Sequence, residues 1–569
     1  MKVTKLQQTR EESARLEIGE TIIRPGVTRF LVLFFVMVIY SVPVLQCVND
    51  YRLYLQDERN TPWPQAFDFF REMPPVTRLV AEARNVPAGI FEANRHVLRH
   101  INEFEDDLED ESYFGKAVRP AAQYIMARWL GVGNELAYIG RERWLFFRPT
   151  IDYLTGPGFL DPHQLERRAA AGTEWRPAPQ PDPRRAIRQF NDQLAERGIT
   201  LIVMPVPVKA SVHPEQFTAR YDEGISPLQN PSYRRFVDEL KADGIPVFDI
   251  SQAIHERKRR TGDPQFLSVD THWRPETVVW AAGALKRFIE HEADLPRREP
   301  LQLRYNYVEV DNLGDIAFML DLPAQRELFH RERVQIRQIT TGKGNWWRPS
   351  DDADILVLGD SFSNIYSLEP MGWGESAGLI EQLSYELGRP IDRIVRNDDG
   401  AHATRALLSR ELARGSDRLE GKRVVVWQFA ARELSVGNWE LLDMNLRDPE
   451  PTEFFTPEPG DEVVVRGIVQ NISNVPRPGT VPYRDHIVSM HLVDLEHEDT
   501  EIRDRQTVVY MSSMIDNELT AAARFRRGDR VEIRLRSWDD VADRYEAMNR
   551  SELDEWELQL VEPSWGELE

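Results

Sequence analysis

Short apolar runs, each set off from the next by a stretch with helical spacing, give the middle of this chain its pattern. Residues 200–205 (TLIVMP) form a continuous, β-branched-rich run of the kind buried on both faces of a sheet. The stretch before it, 184–197, has apolar positions at helical spacing and closes on Gly198. The unit repeats: 233–242 predicts a helix, Gly244 breaks it, and 246–249 (PVFD) predicts the next strand. Similar runs lie at 355–358 (ILVL), 391–395 (IDRIV) and 424–429 (VVVWQF), separated by helical stretches at 375–387 and 404–412. Strands alternating with helices predict an α/β fold in three layers around a mainly parallel sheet. Polar and β-prone pieces between 304 and 347 interrupt the alternation and predict an insertion.

Both ends have a different texture. Residues 30–49 (FLVLFFVMVIYSVPVLQCVN) carry no charge over a length just sufficient for a transmembrane helix. Lys2, Lys5, Arg10, Arg15, Arg24 and Arg29 precede this run and only Arg52 and Arg59 come soon after it, a bias that holds the N-terminus in the cytoplasm and exports the chain beyond about Tyr51. Val44, Leu45 and Gln46 before Cys47 are not the small residues of a cleavage site, so the span reads as a retained anchor. Residues 67–130 have helical spacing and predict a neck. His96 and His100 lie four apart there without a recognisable third ligand, so no metal site is assigned. The proline-rich stretch 175–183 (WRPAPQPDP) predicts an extended connector. Beyond about 457, short strand candidates at 462–469, 486–492, 507–511 and 530–535 predict a small all-β unit, a five-stranded barrel of oligonucleotide/oligosaccharide-binding or carbohydrate-binding type. Trp538, Trp556 and Trp565 are its candidates for stacking on sugars, against the ordinary reading of core aromatics.

A chain of 569 residues exceeds one ordinary core. Its net charge of -22 is spread along the sequence and gives no electrostatic reason to expect nucleic acid. Cys47 is the single cysteine, which excludes an intrachain disulfide and a thiolate metal cage.

The sharpest chemical signal is Gly359-Asp360-Ser361-Phe362-Ser363 at the end of the 355–358 run. In open α/β sheets ligands bind at the carboxyl ends of the strands, and a backbone N–H just beyond a strand can meet a developing oxyanion. The competing reading makes Asp360 and Ser361 a turn or helix cap. A second signal, Asp270-Thr271-His272-Trp273, stands just before Arg274-Pro275, where proline marks a helix start. Residues two apart in an extended segment point to the same side, so Asp270 can orient His272 while His272 takes a proton from Ser361; the competing reading makes His272 a helix-start cap and Asp270 a turn residue. Ser361 does not sit in the nucleophile elbow Gly-x-Ser-x-Gly, since Phe362-Ser363-Asn364 follow it, and this counts against the lipase-type scaffold.

The Gly-Asp-Ser block resembles the first motif of SGNH hydrolases, but here Asp270-x-His272 precedes the serine. That order resembles the alginate O-acetyltransferase family of AlgX and AlgJ type, with its permuted SGNH-like domain. Residues 140–147 (GRERWLFF) resemble that family's Trp-Leu-Phe segment, Val206-Pro207-Val208-Lys209 its Pro-x-Lys strand end, and Val426-Trp427-Gln428-Phe429 with Arg432-Glu433-Leu434 its closing strand. The resemblance covers roughly 140–440 and implies an acetyltransferase acting on a polysaccharide. It implies Ser361 as nucleophile, His272 as base and Asp270 as its orienter, with Lys209 and Arg432 shaping the substrate pocket. It implies no cofactor, and a multispanning membrane O-acyltransferase as the partner that brings acetyl across. Asn364 and Asn397 are candidates for the second oxyanion donor. The expected division is then a cytoplasmic segment 1–29, an anchor 30–49, a helical neck 50–135, an SGNH-like acyltransferase domain 136–450 and a β domain 457–569. Two other readings stay open on sequence: an acetylesterase using the same residues, and a non-catalytic glycan-binding scaffold of an export complex.

Overall fold

The computed structural model describes residues 24–56, 62–67, isolated positions up to 108, and 112–568 apart from 173–177, 222–225, 324–327, 398–399, 414, 448–453, 477, 480, 482, 498–505, 526–528 and 554. His96 and His100 lie outside the described residues. Two compact units divide the chain, Met1–Arg119 and Pro120–Glu569.

Among the described residues the first unit contains the helix Pro25–Leu55, 31 residues long, with Pro25 in its first turn where a missing N–H costs nothing. At 1.5 Å per residue it spans roughly 46 Å, more than the about 30 Å of a bilayer's hydrocarbon core. It is the one helix among the described residues that is long and apolar enough to cross a membrane, with a mean hydropathy of 2.4 over its most apolar stretch and none of that stretch buried. The helix runs past both ends of the predicted span 30–49, because backbone hydrogen bonding carries it through polar residues such as Asp50, whose Oδ1 accepts from Gln46 Nε2 at 2.8 Å.

In the second unit a short antiparallel pair comes first, β1 (Ala137–Ile139) and β2 (Leu145–Phe147). The central sheet comes next: β3 (Thr200–Val206), and, after the insertion pair β4 (Leu303–Asn312) and β5 (Glu332–Thr341), β6 (Ile355–Gly359), β7 (Asp392–Val395) and β8 (Val424–Ala430). Its order is β3-β8-β6-β7 and every pairing is parallel. Because side chains alternate along a strand, each strand feeds two cores. Ile202, Met204, Ile355, Val357, Val424 and Val426 pack with the helices Pro275–Glu292 and Leu379–Leu387 on one face. Leu201, Val203, Leu356, Leu358, Val425 and Trp427 pack with Pro183–Glu196, Tyr233–Ala242 and Gly400–Ala413 on the other. This is the three-layer, SGNH-like α/β arrangement.

Two predicted elements change. The strand expected at 246–249 is reduced to a single parallel bridge, Val203↔Val247. Gly244 turns the chain at φ 76 just before it, and Asp249 Oδ1 accepts from Ser251 N at 3.0 Å just after it, starting the next helix. The helix expected from 375 begins at Leu379, because Ser376 sits at φ 56, outside helical backbone. The 304–347 insertion is an antiparallel pair in continuous register from Leu303↔Thr341 to Asn312↔Glu332, with the short helix Asp315–Met319 in its connection.

The C-terminal strands are β9 (Glu462–Ile472), β10 (His486–Glu496), β11 (Gln506–Ile515), β12 (Arg530–Ser537) and β13 (Ser564–Leu568). They close a ring in which β9 pairs with β10 and β12, β10 with β11, β12 with β13, and β13 with β11, the last pair parallel. Val465, Val488, Met490, Val509, Ile533 and Leu535 fill its interior. The sequence pattern missed β13, whose Trp565 is 2 % exposed. Tyr545 stacks on that ring at 3.9 Å, so the face is closed to a sugar. Trp538 packs edge-on against Tyr510. The side chain of Trp556 is outside the described residues.

Candidate active site

The fully buried β6 ends at Gly359, where any side chain would collide: a Cβ there would stand 2.2 Å from Ser363 Oγ. Asp360 caps the turn beyond it. Its Oδ1 accepts from Phe362 N at 2.9 Å and from Gln428 Nε2 at 2.6 Å, and its Oδ2 accepts from Ala430 N at 2.6 Å. Asp360 N in turn donates to Gln428 Oε1 at 3.1 Å. The capping role open to Gly-Asp-Ser therefore belongs to Asp360, pinned by β8, and the Ser361 hydroxyl is used elsewhere.

Ser361 Oγ lies 2.8 Å from His272 Nε2, and His272 Nδ1 lies 2.7 Å from Asp270 Oδ1. His272 stands on a loop folded back on itself: Phe266 bridges Trp273, Leu267 N donates to His272 O at 3.0 Å, and Arg274 N donates to Gln265 O at 3.0 Å. Trp273 and Tyr366 tie this loop to the serine turn. Trp273 Nε1 donates to Phe362 O at 2.9 Å, and the Tyr366 hydroxyl donates to Trp273 O at 2.7 Å. Phe362 lies against the His272 ring with centroids 4.9 Å apart.

Asp270 is enclosed by donors. Besides His272 Nδ1, its Oδ1 accepts from His272 N at 3.0 Å, and its Oδ2 accepts from Trp373 Nε1 at 2.9 Å and Asp315 N at 3.0 Å. Burial works to raise the Asp270 carboxyl, but the hydrogen bond and charge of His272 and the backbone donors outweigh it and hold it down at about 2. Burial works to lower His272, and the hydrogen bond to Asp270 with the charges of Asp270, Asp315 and Asp360 reverses this and raises it. An ionised Asp270 keeps the proton on Nδ1, which leaves Nε2 as an acceptor facing Ser361. Ser361 is 3 % exposed, and His272 and Asp270 are 1 % exposed each.

Asp270, His272 and Asp315 also bring ligating atoms within 4.8 Å of one another. That set fits a cation poorly, because both Asp270 oxygens already accept from N–H donors and both His272 nitrogens are engaged.

Lys209 and Asn364 flank this core, and Arg432 follows two residues after β8. Lys209 is buried, and its Nζ donates to Leu145 O at 2.7 Å and Ser268 O at 3.2 Å, tying β2 to the loop that carries Asp270. Burial lowers its ammonium to about 8 against the charges of Asp270, Asp315 and Glu332. Arg432 precedes the turn Glu433–Val436, its guanidinium 5.6 Å from the Phe147 ring and its Nε 3.5 Å from Glu433. Asn364 Nδ2 donates to Asn397 Oδ1 at 3.1 Å, and Asn397 Nδ2 donates to Ala547 O of the barrel at 3.5 Å. Trp373, Asp315, Glu332 and Gln428 escaped the sequence reading. Glu332 accepts from Ser268 N at 2.7 Å and from Arg274 Nη1 at 2.7 Å, steadying the histidine loop. Of these, Gln428 left the clearest trace, a polar residue inside the otherwise apolar VVVWQFA.

Residues 138–431 match the family model described as SGNH hydrolase-like domain, acetyltransferase AlgX. The chain belongs to this family. The protein of Pseudomonas aeruginosa named probable alginate O-acetylase AlgJ is 27% identical over 291 residues, covering 47% of this chain and 68% of that protein. Its namesake from Azotobacter vinelandii is 22% identical over 315 residues, 53% of this chain and 71% of that protein. Among solved structures, the O-acetyltransferase domain of Pseudomonas putida AlgJ aligns at a TM-score of 0.39 and 21% identity, over 53% of this chain and 93% of that one. Within the AlgX-type family match fall β2 to β8, all but the first residue of β1, the insertion and all the residues of the Asp270–His272–Ser361 chain.

Proposed function

We propose that this protein is a polysaccharide O-acetyltransferase, anchored by the helix Pro25–Leu55 with its catalytic unit outside the cytoplasm, that carries acetyl on Ser361. The observation that carries the reading is the unbroken chain from Asp270 through His272 to Ser361, at 2.7 and 2.8 Å, at the carboxyl end of β6. The names of the AlgJ relatives point to alginate as their polymer, and an acidic polysaccharide of that class is the acceptor we assign here.

In the first half-reaction Ser361 Oγ attacks the acetyl carbonyl carbon as its proton passes to His272 Nε2. The imidazolium so formed lies against the Asp270 carboxylate. The tetrahedral oxygen is received by the Ser361 backbone N–H, which makes no hydrogen bond among the described residues, and by the amide of Asn364, one of whose two hydrogens is free of Asn397. Collapse gives acetyl-Ser361, and the leaving group takes the proton from Nε2. A sugar hydroxyl then gives its proton to Nε2 and attacks the acetyl carbon, and Ser361 departs with that proton. Lys209 and Arg432 act as pocket-shaping groups. No cofactor is called for. The acetyl donor outside the membrane is a multispanning O-acyltransferase partner, beside which a single-helix anchor would dock.

The near-complete burial of Ser361 favours transfer over hydrolysis, since bulk water has little access to the ester. The test is purified protein with an activated acetyl ester, with and without oligouronide acceptors. Acetylated oligosaccharide is expected from wild type and none from Ser361→Ala of unchanged thermal stability. Free acetate alone under every acceptor would convert the assignment to an esterase, and full activity of Ser361→Ala would end it.

A further inference from the structure

The insertion's short helix begins with a residue outside the Asp270–His272–Ser361 chain yet in contact with it. Gly314, just before the helix, adopts φ 90, and a Cβ on it would stand 2.6 Å from Val269 O, so the insertion approaches the Asp270 loop as closely as backbone allows. Asp315, next in sequence, is locked to that loop from both sides. Its N donates to Asp270 Oδ2 at 3.0 Å, and its Oδ1 accepts from Thr271 N at 2.7 Å and from Ile316 N at 2.7 Å. Its Oδ2 is buried without a hydrogen-bond partner and lies 3.8 Å from His272 Nδ1. A buried carboxylate oxygen left unbonded beside an imidazole is costly unless a positive charge forms next to it during function.

We infer that Asp315 is a positioning residue for the acyl transfer, a second counter-charge that, together with Asp270, holds the histidine loop and shares the charge of the His272 imidazolium. The inference rests on the reading of His272 as general base. The charged groups around Asp315 are Asp270 and His272 on the facing loop and Lys209 behind it, with Asp360 facing His272 from the serine turn and Glu332 facing Lys209. Burial and the Asp270 charge raise the Asp315 carboxyl to about 6. A carboxylate this close favours the protonated ring. Its removal therefore lowers the imidazolium pKa and moves the acidic limb of the rate profile, where His272 must lose its proton, to lower pH.

The test is the pH dependence of kcat/KM for Asp315→Asn beside wild type and Ser361→Ala. The variant keeps an oxygen for Thr271 N and Ile316 N and replaces the charged Oδ2 facing His272 with a neutral NH2. The expected result is a downward shift of the acidic limb by about one pH unit, with kcat on the plateau reduced about tenfold and KM unchanged. An unmoved limb overturns the inference. Full activity of Ser361→Ala would instead remove the general-base reading beneath it, so the two failures are separable. Should Asp315→Asn not fold, the wild-type protein answers directly through 15N-histidine NMR, with His272→Gln for assignment. The His272 ring is expected to report a second titration besides its own, that of the Asp315 carboxyl 3.8 Å from Nδ1, and a single step overturns the inference.

Discussion

Asp270→Asn exposes how tightly the site is constrained, because the carboxylate is surrounded only by donors. Two N–H groups meet Oδ1, from His272 N and Nδ1, and two meet Oδ2, from Asp315 N and Trp373 Nε1. An amide has one accepting oxygen, so its NH2 must face one of these pairs. Facing Trp373 and Asp315 it leaves two buried donors unsatisfied, at about 1–3 kcal/mol each. Facing His272 it leaves only the backbone donor unsatisfied, because the ring can change tautomer and accept at Nδ1. The second arrangement is cheaper, and it moves the ring proton to Nε2, where it can no longer receive the proton of Ser361. The expected result is a loss of kcat of about 10⁴-fold with a stability loss of roughly 1–3 kcal/mol. The shift of Asp270 from 3.8 to about 2 adds a pH signature. A carboxyl lowered by folding contributes stability above its unfolded pKa and loses it as pH falls through the folded value, so roughly 2 kcal/mol is present above pH 4 and disappears towards pH 2. Acetyl transfer with stopped-flow detection of the acyl-enzyme burst, and urea unfolding from pH 7 downwards, measure both. A folded Asp270→Asn protein keeping a tenth of wild-type activity would refute the hydrogen-bond argument.

Gly359→Ala places a methyl 2.2 Å from Ser363 Oγ and is expected to lower stability by about 1–3 kcal/mol and disturb the serine turn, read as a fall in both melting temperature and kcat. Glu552→Gln removes the carboxylate that faces Arg410 at 3.0 Å, Arg550 at 3.3 Å and Arg396 at 3.5 Å. Leaving three buried guanidinium groups without their common partner is expected to cost about 3–5 kcal/mol, and an unchanged denaturant midpoint would contradict this. Trp427→Ala empties a fully buried site packed by Phe190, Phe429 and Trp439 and is expected to cost about 3–5 kcal/mol. In cells whose outer barrier has been removed, added protease is expected to reach the chain beyond Leu55, and protection of that part would count against the extracytoplasmic placement.

Local pattern sufficed for much of this protein. Uninterrupted runs such as TLIVMP and VVVWQF could only be strands covered on both sides, and the uncharged run at 30–49 could only be a long apolar helix, because burial of that much hydrocarbon leaves few alternatives. Gly359, Asp360, Ser361, Asp270 and His272 were legible for a similar reason: strand ends and proline-marked helix starts announce where polar side chains gather. The single bridge at Val247 and the strand Ser564–Leu568 were not legible, since a short strand owes its existence to the partner it finds. Nor could sequence show that Trp373 and Asp315 complete the environment of Asp270, or that Trp565 is covered by Tyr545. Periodicity is a property of neighbours along the chain. The field and hydrogen bonds around a buried carboxylate come from residues far apart in sequence, and only the folded arrangement decides which of them meet.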